Sequence, residues 1–310
     1  IATLFFYFLR WRREAAPAPL KKPSSSVPMD IELLIIIQCE SFADPVSLIT
    51  QHPLPPLPTL ARFQKEGGNT RSGQLDVSGF GAYTMRTEYA VLFGQNEKSL
   101  GFRQFDPFLT AHSNMSYALP NLLSSSFEER IFLHPHDLRF YNRIQLMPQM
   151  GFTKLISTEA FSEEDLCGSY VGDIALGEKI CDIIGKSSQK SQMIYAVTME
   201  NHGPWKQVDN TEYKDPLEIY DFHVRNSDLL LDMLDQKLAG LGKKAVFAFF
   251  GDHRPSIPGY NSPEQNKSTP FVIKTYHSSV EFDFPQDTHL TPAEFSKKII
   301  HSLGKSFRHY

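Results

Sequence analysis

The chain has 310 residues, 41% of them hydrophobic and 12% aromatic, enough to bury a sizeable core and to exclude a low-complexity or purely disulfide-built scaffold. Its 31 basic and 35 acidic side chains leave a net charge of -4, which gives no global electrostatic basis for nucleic-acid binding, although local charge can still meet phosphate. Three cysteines, Cys39, Cys167 and Cys181, lack C-x-x-C spacing, so neither a zinc knuckle nor a full disulfide framework is supported, and one Cys167–Cys181 bridge is the most they allow.

The chain opens on "IATLFFYFL" and then "RWRR". Nine apolar residues are fewer than the roughly 20 that span a bilayer, so residues 1–13 read as the end of a truncated membrane helix with a basic flank, in preference to a short buried helix. Trp11 suits a membrane interface. Arg10, Arg12 and Arg13 fit a cytoplasmic flank by the positive-inside rule and also fit anionic headgroups outside, which leaves sidedness open at this point. Residues 14–29, rich in Pro, Ser and Ala, read as a semi-rigid linker, and residues 30–310 as the catalytic domain. The "PLPPLP" stretch at 53–58 reads as a rigid surface loop, and no solenoid-period repeat is visible.

From Ile31 the run "IELLIIIQCESF" is continuously aliphatic, as suits a central strand covered on both faces, and it ends at Gln38, Cys39 and Glu40. Helical spacing follows over Asp173–Ile184, with Ile174, Ile180, Cys181 and Ile184 on one face. A second strand, Ile194–Met199, is followed by Glu200, Asn201 and His202. Asn226–Leu238 is helical again through Leu230, Met233, Leu234 and Lys237, and a third strand, Ala245–Phe250, delivers Asp252 and His253. Strand and helix alternate, which predicts an α/β fold with functional groups at the carboxyl ends of the strands.

Glu40, His202, Asp252 and His253 then describe a cleft with two carboxylates and two imidazoles, a set suited to a borderline divalent cation such as Mn²⁺ or Zn²⁺. The stretch "SGFGAYTMRTEYAVLFG" offers a nucleophile, Thr84, after glycines at 79 and 81. A threonine opening a helix is most often an N-cap, the more so with Thr87-Glu88 nearby. The same position also sets a hydroxyl among amides that attract phosphate, where a metal would lower its pKa.

Taken in order, "QCESF", "GAYTMRTEYAVLFG", "HPHDLRFYNR", "TMENHGPW" and "FGDHRP" resemble the lipoteichoic acid synthase and phosphoglycerol transferase branch of the alkaline phosphatase and sulfatase superfamily, over roughly residues 31–275. The resemblance implies a three-layer sandwich with a mostly parallel central sheet and helices on both faces. It implies one divalent ion, manganese first with magnesium or zinc as alternatives, on Glu40, Thr84, Asp252 and His253. Thr84 is then the nucleophile, His202 a catalytic and substrate-binding residue, and His134 and Arg143 contacts to the headgroup. Arg254 is a further candidate for phosphate or acceptor contact, against the commoner outcome of an exposed arginine. The implied partners are a phosphatidylglycerol-like donor, a cell-envelope or capsular glycan acceptor and a membrane, with the catalytic domain outside the cytoplasm of a bacterium. The approach "GFGAYT" is less glycine-rich than the family's, and Met85 and Arg86 are choices local to this chain.

A formylglycine sulfatase is excluded, because none of the cysteines lies in a C/S-x-P-x-R context. A phosphatase or phosphodiesterase of the same fold stays open through His136, Asp137 and His223 as spare ligands for a second metal, and the non-enzymatic alternative is a membrane-anchored glycan-binding or assembly protein. Trp205 reads as a cleft wall or core residue.

Overall fold

The structure is a computed structural model describing residues 30–49, 54–186, 190–206 and 212–304; the expected membrane-helix end, the linker and Pro53 lie outside them. No helix among the described residues is long and apolar enough to cross a membrane.

β1 (Leu33–Cys39) is buried along its whole length. Leu34 and Ile36 enter one apolar cluster and Leu33, Ile35 and Ile37 another, so the strand has no polar face and must be covered on both sides. Each such aliphatic side chain contributes roughly 1.5–3 kcal/mol by leaving water.

Around β1, the main sheet has eight strands. They are β2 (Thr70–Leu75), β3 (Glu129–Leu133), β4 (Lys154–Ile156), β7 (Gln192–Val197), β8 (Ala245–Gly251), β9 (Thr269–Tyr276) and β10 (Thr288–Leu290), in the spatial order β10-β2-β9-β8-β1-β7-β3-β4. β5 (Leu166–Cys167) and β6 (Tyr170–Val171) form a separate small hairpin. Only β9 runs against its neighbours in the main sheet; β1, β7, β8, β3 and β4 are mutually parallel, so their carboxyl ends share one edge.

One face is covered by α1 (Pro58–Lys65), α4 (Asp173–Lys186) and α5 (Pro216–Gly240), through Leu60, Phe63, Leu176, Ile180 and Leu234. The other is covered by α2 (Thr84–Phe93), α3 (Arg143–Gln149), α6 (Pro292–Ser302) and 3-10 segments between 97 and 117, through Tyr89, Val91, Met147 and Phe295. The three-layer α/β sandwich is the expected one.

Two helices differ in detail from their expected form. α4 buries Leu176, Gly177, Ile180 and Ile184 and leaves Ile174 and Cys181 half-buried, because Asp173 turns inward to accept a hydrogen bond from Ser227 Oγ at 2.5 Å. α5 starts ten residues earlier than Asn226, at Pro216, where Asp215 caps it by accepting from Leu217 N. Cys167 and Cys181 are free thiols.

Candidate active site

The shared edge of the parallel strands gathers the predicted residues. Glu40 leaves β1, Asp252 and His253 leave β8, the Thr198–His202 turn leaves β7, and His134 follows β3. Such an edge is where open α/β sheets place ligands.

Thr84 arrives from the other side, on a loop pinned to the β8 exit. Gly81 N donates to Arg254 O at 2.8 Å, and Gly81 has φ +62 with its would-be Cβ 2.4 Å from Ser256 Cβ, so both the turn and the close approach require glycine. Tyr83 takes the N-cap position in left-handed geometry and supplies no side-chain cap. Thr84 is therefore the first residue of α2 and is not its cap. Its Oγ1 donates to Glu40 Oε2 at 3.3 Å and lies 3.3 Å from His253 Nε2. Thr87 and Glu88 do not form a capping pair either: Thr87 Oγ1 donates to Asp252 O at 2.7 Å, and Glu88 grips Arg143.

Glu40, Asp252 and His253, all buried, present ligand atoms to one point. His253 Nε2 is 3.3 Å from Glu40 Oε1 and 3.8 Å from Asp252 Oδ2. His253 Nδ1 is 3.1 Å from the Arg254 carbonyl, which fixes the proton there and turns the Nε2 lone pair inward. Asp252 Oδ1 accepts from Ser41 N and His253 N, whereas Oδ2 is buried with no partner. A buried, unpartnered carboxylate oxygen facing an imidazole lone pair, a second carboxylate and a hydroxyl fits a divalent cation.

The titration of the cluster says the same. Burial, then the charge of Glu40, pushes the Asp252 carboxyl up to about 7. Burial raises the Glu40 carboxyl but the His253 charge outweighs it, leaving it near about 2. Burial opposes charge on His253, yet Asp252 and Glu40 hold it up to about 10. Without a cation, a proton on the imidazole is the only positive charge between two carboxylates, a place a divalent ion fills with more charge.

A cavity of about 180 Å³ opens beside Thr84, lined by His134, His136, Tyr141, Arg143 and Tyr170 among others. His134 is buried; Val197 O lies 3.1 Å from its Nδ1, and burial together with the Arg143 charge holds its pKa well below the ordinary value. It is thus a neutral imidazole with Nε2 free to accept. Arg143 is 2% exposed, with Nε and Nη2 bound to Glu88 at 3.1 and 2.5 Å, which leaves Nη1 for a ligand. His202 Nδ1 lies between Tyr170 Oη at 3.2 Å and Gly203 O at 2.5 Å, leaving Nε2 available.

On the far side of Glu40 and His202 is a second cavity of about 330 Å³, walled by Pro204, Trp205, Pro216 and Pro258. A more voluminous cleft of about 740 Å³ lies at the opposite sheet edge, where β3 and β7 begin at Glu129 and Gln192 beside α4; it holds no convergent catalytic set.

Arg254 is not brought to the cleft: it is buried, with Nε on Ser268 O and its two terminal nitrogens on Ser47 O and Oγ. Of the spare ligands, His136 lines the smaller cavity, Asp137 pairs with the exposed Arg139, and His223 faces Glu200.

Sequence reasoning missed Glu88, Ser41 and Tyr170. The Thr-Glu pair after Thr84 carried the signal for Glu88, but a capping motif has the same letters. Ser41 and Tyr170 carry no signal that spacing could reveal.

The Sulfatase family model matches residues 32–293. The capsular polysaccharide biosynthesis protein RkpI of Rhizobium meliloti is 29% identical over 287 residues, covering 88% of this chain, which spans about half (52%) of that relative's length. Among solved structures, the lipoteichoic acid synthase LtaP from Listeria monocytogenes shares the fold at a TM-score of 0.69 and 20% identity, over 91% of this chain and 75% of that one. The Streptococcus pyogenes phosphoglycerol transferase GacH, in complex with sn-glycerol-1-phosphate, aligns at a TM-score of 0.65 and 17% identity, over 90% and 76%. With the family model matched over most of the residues and the fold in agreement, the chain belongs to the sulfatase family.

Proposed function

We propose that this domain is a metal-dependent phosphotransferase that moves a phosphoglycerol-type headgroup from a phospholipid, through a phosphodiester on Thr84, to a hydroxyl of a cell-envelope or capsular glycan. The observation that carries the reading is the placement of Thr84 Oγ1, a hydroxyl that donates to Glu40 Oε2 at 3.3 Å and lies 3.3 Å from His253 Nε2.

Glu40, Thr84, Asp252 and His253 would hold the ion, which when bound lowers the hydroxyl's pKa and draws charge from the phosphoryl oxygens. Thr84 Oγ1 attacks phosphorus in line at the amino end of α2, where the helix dipole favours the anion. Its proton has Glu40 Oε2 as acceptor. The P–O bond to diacylglycerol breaks, and the leaving oxygen takes a proton from His202 Nε2. In the return step the acceptor hydroxyl attacks phosphorus, the P–Oγ1 bond breaks, Oγ1 recovers its proton from Glu40, and His202 removes the acceptor's proton.

The small cavity favours a neutral, hydroxyl-bearing headgroup over an ammonium one. Arg143 contributes a positive charge there and His134 a neutral acceptor, so a glycerol hydroxyl is met while an ammonium is repelled. The RkpI relative, named a capsular polysaccharide biosynthesis protein, supports a capsular glycan as the acceptor.

The test is incubation with phosphatidylglycerol vesicles and manganese, followed by mass spectrometry of the Thr84 peptide. A glycerophosphoryl adduct on the wild type that is absent in Thr84→Ala is expected. Release of free phosphate from soluble monoesters with no lipid consumed would replace transfer by the phosphatase reading.

A further inference from the structure

A second cluster of ligand-type side chains lies apart from Thr84, and the phosphoryl chemistry does not use it. Cys167 on β5, Glu200 after β7 and His223 on α5 bring a sulfur, a carboxylate oxygen and a ring nitrogen within 4.8 Å of one another. His223 Nδ1 is 2.8 Å from Glu200 Oε1 and 3.9 Å from Cys167 Sγ.

Two kinds of Cys-His-Glu trio differ in geometry. A nucleophilic relay needs the imidazole to face the thiol with one nitrogen and the carboxylate with the other. Here both approach Nδ1, so the ring cannot pass a proton between them. Donors converging on one point are the arrangement of a metal site. Asn226, one helical turn from His223, faces the same point: its Nδ2 is 2.6 Å from Glu200 Oε1 and 3.7 Å from Cys167 Sγ. Turning that amide over presents Oδ1 in place of Nδ2, a fourth ligand atom. Glu200 Oε2 accepts from Asp173 N at 2.6 Å, which orients the carboxylate and leaves Oε1 for the centre.

We propose that Cys167, Glu200, His223 and Asn226 form a second cation site, suited to Zn²⁺ and separate from the one at Glu40. Thiolate and imidazole ligands select zinc over the harder magnesium and manganese. On binding, the Cys167 thiol loses its proton to solvent and the proton on His223 Nδ1 passes to Nε2. The site ties the β5–β6 hairpin to α5 and the end of β7. That hairpin carries Tyr170, whose hydroxyl touches His202, so the ion braces one wall of the smaller cavity. Nothing in the proposal depends on the transfer reading.

The test uses the purified protein stripped with chelator and reloaded with Co²⁺ or Zn²⁺ alone. Cobalt at this site gives a sulfur-to-metal charge-transfer band, which the oxygen and nitrogen ligands at Glu40 cannot produce. The band is expected in the wild type and in Glu40→Gln and Cys181→Ser, and absent in Cys167→Ser, which also binds one zinc ion fewer while keeping its circular dichroism. No thiolate band in folded wild type, or a band that survives Cys167→Ser, overturns the proposal.

Discussion

The Arg143–Glu88 pair supplies a quantitative test of how the smaller cavity beside Thr84 is held. Both side chains are almost fully buried, at 2% and 0% exposure, and two hydrogen bonds join them. Removing one partner of such a pair leaves an uncompensated buried charge, at a cost of about 3–5 kcal/mol. Arg143→Met also loses the stacking of the guanidinium over Tyr141, 4.9 Å from the ring centroid and worth ~0.5–2 kcal/mol. Glu88→Leu loses only its partner. In the double variant neither charge remains, and what persists is about the stacking loss alone. Both charge costs disappear together, so the coupling energy is opposite in sign to the single costs and about 6–10 kcal/mol in size. Urea unfolding followed by far-ultraviolet circular dichroism reads all four corners of the cycle, and each single variant should melt roughly 6–10 °C lower. If the double variant is as unstable as the sum of the singles, the two residues act independently and Glu88 is not the clamp. Activity separates the roles further: Arg143→Met should stay inactive in the stable double background, since Nη1 has gone with the guanidinium.

Two further outcomes follow from the geometry. His134 has a folded pKa well below the ordinary histidine value, so the unfolded chain binds more protons as pH falls beneath about 6.5, and wild type should lose stability by at most ~1.4 kcal/mol per pH unit from this group; His134→Asn, compared by urea midpoints at pH 7 and pH 5, should show a shallower loss, and parallel slopes would remove the group from the account. Gly81→Ala forces a Cβ onto Ser256 at φ +62, costing about 1–3 kcal/mol of strain and shifting the loop that delivers Thr84. Turnover should drop by about two orders of magnitude with metal content unchanged, because a displacement near 1 Å suffices for that, and full activity in the Gly81→Ala variant would show that the loop tolerates the shift.

Much of the fold was legible because β1, β7 and β8 are apolar on both faces, and only a sheet covered twice accepts such strands. Glu40, Asp252 and His253 were legible for the same reason, since whatever follows a buried parallel strand lies on the functional edge. Thr84 was ambiguous because a capping threonine and a nucleophilic one have the same neighbours; Tyr83 in the left-handed N-cap position removes the cap reading, and that is a backbone fact. Arg254 misled because an arginine after an Asp-His pair resembles a phosphate ligand, while its partners are Ser47, in the short helix after β1, and Ser268, just ahead of β9. The Cys167–Glu200–His223 cluster was illegible for a related reason: it joins a two-residue strand, a turn and a helix, whose proximity no spacing encodes.

The two cavities that meet at Glu40 and His202 bear on the proposed choice of transfer over hydrolysis. Hydrolysis of the proposed phosphothreonine would need room for one water, about 30 Å³. The cavity on the far side of Glu40 and His202 is about 330 Å³, and Pro204, Trp205, Pro216 and Pro258 line it together with Ser41, Ser256 and His202. The proline and tryptophan faces suit the C–H face of a sugar ring, and Ser41, Ser256 and His202 beside them can meet its hydroxyls. Trp205 is itself fixed, its Nε1 donating to Asn201 O at 3.1 Å and its ring edge-on to Tyr220, so the platform exists before any acceptor arrives. Asn201 in turn donates to Glu40 O at 3.0 Å, which joins the acceptor wall to the same strand end that carries the proposed metal ligand. In the proposed exchange both displacements are in line with Thr84 Oγ1, so the acceptor oxygen enters on the side the lipid oxygen leaves, and the one imidazole of His202 serves both halves of the reaction.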